Sequence, residues 1–190
     1  MRNVPDRLYF SCWVRNWNES NMLRHFQKLA ELFPFSRLAM RGPELRVYAI
    51  EHVEPPQIAQ EFTPGTDPRI MIETAREFMH DDCVCEIDAA WDLWQFDTEW
   101  KLAPAGVTLS CFGPVFDNDV GDHLRVDFGL ESLYVPDPHI EGGLRTGQSN
   151  LKSLVHFIHE IERALPLERR NLWSESGESP AELITKALVN

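Results

Sequence analysis

Cys83-Val84-Cys85-Glu86-Ile87-Asp88-Ala89-Ala90-Trp91-Asp92-Leu93-Trp94 decides how this chain folds. Its odd positions, Cys83, Cys85, Ile87, Ala89, Trp91 and Leu93, are apolar, and the even ones include Glu86, Asp88 and Asp92. Successive strand side chains point to opposite faces, so a period of two predicts a half-buried strand with an acidic outer edge. The run is long against a usual strand of about 5–6 residues, and a bulge or bend near Ala89-Ala90 is expected. Trp91 falls on the buried face with Leu93. Trp94 shares the outer face with Asp92, Asp88 and Glu86, which makes a large aromatic beside three carboxylates.

Working outward, the N-terminal side reads strand, helix, strand, strand. Leu8 to Val14 alternates. Met22, Phe26, Leu29 and Phe33 form one helical stripe from about Ser20, and Pro34 stops it. Phe35 to Met40 and Leu45 to Val53 are expected as strands joined by a turn at Gly42-Pro43. A loop with Pro55, Pro56, Pro64 and Gly65 follows, the seam at 55–65 between sub-units 1–54 and 66–190 of a single domain, 1–190.

On the other side, Asp67-Pro68 starts a helix with Met71, Ala75, Phe78 and Met79 on its stripe. After the central strand come Val107 to Phe116, a turn at Asp117 to Asp122, and a strand marked by Leu124, Val126, Phe128 and Leu130. A Gly/Pro-rich loop from Pro136 to Gly147 precedes a helix burying Leu151, Leu154, Ile158, Ile161 and Leu165. Ser179-Pro180-Ala181-Glu182 starts a last helix with a capping box around a proline. Strand-rich runs with helices between and after them predict an α+β fold: a mostly antiparallel sheet flanked by helices, arranged on topology alone as two ferredoxin-like halves.

The 190 residues should bury roughly 70% of the unfolded surface, so no staple is required. Six Trp, eleven Phe and 43% hydrophobic residues argue against disorder. No apolar run reaches the ~20 residues of a membrane helix, and Met1 to Asp6 lack a signal core, so a cytoplasmic protein is expected. Thirty acidic and eighteen basic side chains give a net charge of −12, a surface that repels phosphate backbones and anionic lipid. No nucleic-acid or membrane partner is expected. Basic proteins and cations are the favoured counterparts, and a homodimer stays open.

Each motif has a plainer reading. Cys12, Cys83, Cys85 and Cys111 all fall on apolar strand faces, where thiols act as small hydrophobes. Structural zinc uses wider Cys spacings and a second pair, so Cys83-x-Cys85 predicts no metal, and no cofactor is expected. Gly142-Gly143-Leu144-Arg145-Thr146-Gly147-Gln148-Ser149 resembles a phosphate loop, but Gln148 stands where the phosphate-reaching lysine belongs. Arg145, Thr146 and Ser149 are left as a weak anion-site candidate. Asp117-x-Asp119-x-Gly121-Asp122 has its glycine in the wrong place for a calcium loop and suits a turn. His80-Asp81 runs straight into a strand. His156, His159 and Glu160 lie off the buried stripe of their helix.

The expected function is a non-catalytic protein-interaction module, as small inhibitor or immunity-type proteins are, binding a basic or cationic partner. Glu86, Asp88, Asp92 and Trp94 are its candidate face. The alternative is a divalent-cation-dependent hydrolase using the strand carboxylates or the aspartates of the 117–127 turn, since hard cations take oxygen ligands.

Overall fold

The computed structural model describes residues 6–49 and 54–175. The central run becomes β4 (Cys83–Phe96), which pairs antiparallel with β5 (Trp100–Phe112) from Val84–Phe112 out to Phe96–Trp100. No register shift interrupts that ladder, so the expected bulge at Ala89-Ala90 is absent. The length is supported from both sides: β2 (Glu44–Ala49) on β4, and β6 (Leu124–Leu130) on β5. With β1 (Arg7–Val14), β3 (Ile58–Glu61) and β7 (Leu167–Ser174), the described strands form one sheet, ordered β3-β2-β4-β5-β6-β1-β7 and antiparallel throughout.

Among the described residues, three helices cover one face. α1 (Met22–Leu32) lies over β5, α2 (Pro68–Arg76) over β2, and α3 (Gly143–Ala164) over β4. The fold is therefore α+β, built on a seven-stranded antiparallel sheet. Alternation sorts the side chains: Leu45, Val47, Cys85, Ile87, Leu93, Leu109, Cys111, Val126 and Phe10 are buried under the helices. Trp91 anchors this core, its indole meeting the rings of Phe33, Phe128, Tyr134 and Phe157. Asp67 caps α2 by accepting from the Arg69 N–H at 2.9 Å, with Pro68 as first helical residue.

Three expectations change, and one strand, β7, was not foreseen. Phe35 to Met40 is not a strand. Ser36 accepts from the N–H groups of Leu38 and Ala39 while its own N–H goes to the Ala90 carbonyl, and this local bonding takes donors a ladder would need. The 55–65 segment carries β3, paired from Glu44–Glu61 to Val47–Ile58. β5 starts at Trp100, well before Val107, and stops at Phe112. β7 pairs with β1 although its Glu168-Arg169-Arg170-Asn171 run has no apolar alternation. The Ser179 helix start and residues 50–53 of the expected Leu45–Val53 strand lie outside the described residues.

Two departures create an arm. Pairing of β2 on β4 ends at Glu44–Asp88, and pairing of β6 on β5 ends at Thr108–Asp127. Beyond those rows β4 and β5 run on as a two-stranded hairpin. β6 leaves because Gly129, at φ 77°, turns its N–H onto the Asp127 carboxylate at 2.9 Å. Pro104 fits β5 here because Phe112, of the same parity, donates toward β6, and past Thr108 no strand asks Pro104 for a proton.

Candidate functional site: the open sheet face and the arm

The face opposite the helices carries the expected carboxylates, and each is engaged within the chain. Arg46 on β2 sits among Glu44 at 3.8 Å, Glu86 at 3.9 Å and Asp88 in direct contact. Thr108 adds a hydroxyl bond to Asp88 at 2.8 Å. Asp92 accepts from the Ser36 hydroxyl and from the Arg37 N–H at 2.9 Å, which holds the segment after α1 against β4. Glu86, Asp88 and Asp92 share one face, as alternation requires. Two of them surround a guanidinium, and the third organises a loop.

Trp94 differs. Its main chain, beyond the end of β2, is satisfied by the Asn150 carboxamide of α3: the Trp94 N–H donates to Oδ1 at 2.9 Å, and Nδ2 donates to the Trp94 carbonyl at 2.9 Å. Its side chain shares the outer face of the arm with Leu102 opposite, then Phe96 and Trp100. The rings of Phe96 and Trp100 lie 5.3 Å apart, and Trp100 Nε1 donates to the Glu141 carbonyl at 2.7 Å. Phe96 is 47% exposed and Leu102 45%, so this apolar group faces water. Asp97, Glu99 and Glu141, all exposed, surround its tip, and Lys101 pairs with Glu99 at 3.2 Å.

Arg145, Thr146 and Ser149 lie in the first two turns of α3, not in a loop. The glycines around them serve packing. A Cβ on Gly143 would stand 2.1 Å from the Asp137 carbonyl oxygen, and one on Gly147 2.6 Å from the Pro136 Cα. Thr146 bonds back to the Gly142 carbonyl at 2.9 Å, while Arg145 and Ser149 are exposed.

Asp122, read as a turn residue, is the most buried carboxylate of the open face. It accepts from Ser11 at 2.6 Å, from Asn118 at 2.8 Å, and from Arg125 through both oxygens at 2.7 and 2.8 Å. Trp173 Nε1 donates to the same Ser11 hydroxyl at 2.9 Å, and Trp173 stacks on Tyr9 at 4.5 Å. Burial and the bond to Glu175 push the Tyr9 hydroxyl up to about 12. His123 closes this end: its Nδ1 accepts from the Val14 N–H at 2.8 Å, and Trp17 stacks on it at 5.0 Å. The four cysteines are buried, and burial raises the thiol pKa of each. Among the described residues, no three His, Cys, Asp or Glu side chains converge as a metal would need.

Asn150 and Arg46 were missed by the sequence reading, and Asp122 was read as a turn aspartate without its buried bonds to Ser11 and Arg125. Asn150 had a signal, a polar residue in line with Gly143, Gly147 and Leu154 on the buried face of α3. Comparison with protein-family models, with curated proteins and with solved structures finds no match.

Proposed function

We propose that this protein is a non-catalytic binding module whose β4–β5 arm grips a basic partner. The observation that carries the reading is the outward row Trp94, Leu102, Phe96 and Trp100, held by a continuously paired two-stranded arm and rimmed by Asp97, Glu99 and Glu141. Large exposed apolar groups ringed by polar ones are what docking surfaces present, and aromatic rings dominate their energetics. The acidic rim, on a chain of net charge −12, favours a partner element with apolar anchors flanked by Lys or Arg. It also disfavours a second copy of this chain, whose own rim would meet like charge. The hydrolase alternative gains nothing here, because Glu86 and Asp88 neutralise Arg46 while Asp92 binds Ser36.

A photoreactive amino acid in place of Leu102, expressed in the native cell, tests this. One dominant basic protein should be cross-linked, and capture should fall as salt is raised. The reading is overturned if the same proteins are captured from position 73 on α2, or if the captured protein is acidic.

A further inference from the structure

We infer that the partner enters as an extended strand, adding to the free edge of β5 from Leu102 to Gly106 in the track that β6 vacates. This rests on the reading of the arm as a docking surface and specifies the form in which the partner meets it.

Register sets the edge. The Phe112 N–H donates to the His123 carbonyl at 2.9 Å, so the even residues of β5 aim their main chain toward β6. Pairing of the two strands ends at Thr108–Asp127. In the next row the Gly129 N–H would meet the Gly106 carbonyl, but it is turned onto the Asp127 carboxylate at 2.9 Å. Leu102 lies four residues farther along the same edge, and among the described residues its N–H and C=O pair with no other strand. Such an edge is a template for another chain. The arm's other edge, on β4, is already taken: Asn150 satisfies Trp94, and the Ser36 N–H donates to the Ala90 carbonyl at 2.7 Å.

Room for a strand lies beside this edge. A cleft of about 560 Å³ has Pro104, Gly106 and Thr108 on one side and Gly129 and Leu130 on the other. Leu130 is 39% exposed, and nothing stands within 4 Å of where a Cβ on Gly106 would be. A strand added at ~4.8 Å from β5 covers Leu102 to Gly106 with about five residues at ~3.4 Å each. Its outward side chains continue the row that Trp94 and Leu102 begin, so alternate apolar residues suit them. The acidic tip at Asp97 and Glu99 calls for Lys or Arg at the strand's end there. Pro104 has no N–H to give, which costs the pairing one bond and blunts the edge against unselective partners.

The test titrates the ¹⁵N-labelled protein with the capped peptide Lys-Val-Lys-Val-Lys-Val-Lys, which has one apolar and one basic face when extended. Saturable shifts at Leu102 and Gly106 are expected, and at saturation amide exchange at Leu102 should slow at least tenfold as its N–H gains a partner. The same peptide N-methylated at its valines and central lysines keeps its side chains and charge but presents no edge, and should bind at least tenfold more weakly. Binding that leaves Leu102 exchange unchanged, or equal binding of the methylated peptide, overturns strand addition while leaving the arm a docking surface. No saturable shift at Leu102 into the millimolar range also overturns it. The arm's role as a docking surface is judged separately, by the cross-linking at position 102.

Discussion

Asn150 completes Trp94: one carboxamide on a helix supplies the acceptor and the donor that a neighbouring strand would have given at 2.9 Å each. Its second proton goes to the Leu133 carbonyl at 2.8 Å, so a single side chain ties the arm, the turn after β6 and α3 together. Asn150 is 3% exposed. Asn150→Ala therefore strands buried main-chain groups on two segments and should cost about 3 kcal/mol in denaturant unfolding. Amide exchange at Trp94 should accelerate with it. Asn150→Asp should be nearly as costly, because the carboxylate keeps the acceptor and loses both donors.

The Asp122 cluster predicts a second large effect. Asp122→Ala removes the partner of Arg125 and of the buried Ser11 hydroxyl, and should cost about 3 kcal/mol. A double-mutant cycle with Arg125→Ala should show strong coupling, since the second change removes the guanidinium that the first leaves behind.

Stability should fall with acid partly through His123. Burial holds its imidazole pKa below the ordinary value, so between the folded and unfolded values the unfolded chain binds the extra proton. The contribution is complete above about pH 6.5 and is lost as pH falls through the folded value. His123→Asn keeps an acceptor for Val14 and removes the titration. Its melting temperature should drop less than the parent's between pH 7 and pH 5, and an identical drop would assign the effect to other groups.

Thiol chemistry gives an independent check on the core. Cys12, Cys83, Cys85 and Cys111 are free and buried, with pKa raised by burial, so a thiol reagent should label them only as fast as the protein opens. All four should react at once in denaturant.

What the sequence made legible follows from periodicity. The alternation of Cys83 to Trp94 sets the face of each side chain correctly, and Asp67-Pro68 marks the α2 start because its signal is local. β7 escaped because Glu168 to Asn171 is polar on both faces of an edge strand, held by pairing with β1 rather than by burial of those residues. Phe35 to Met40 misled because Ser36 organises a local turn there, which leaves Leu38 and Met40 exposed instead of alternating into the core. At the candidate site, Glu86, Asp88, Asp92 and Trp94 were placed on one face correctly. That Arg46 and Ser36 would engage the acids depended on register with β2 and on the path after α1, neither of which is written in local pattern.

The arm itself supplies the most direct measurement. Phe96→Ser with Leu102→Ser removes two exposed apolar groups and leaves the ladder and the Asn150 bonds in place. The account predicts that unfolding free energy stays within about 0.5 kcal/mol of the parent, as for surface substitutions, while affinity for the partner captured at position 102 falls by tenfold or more. A loss of several kcal/mol in stability, or unchanged affinity, would show that the row is part of the fold's own packing and contradict its role as a docking surface.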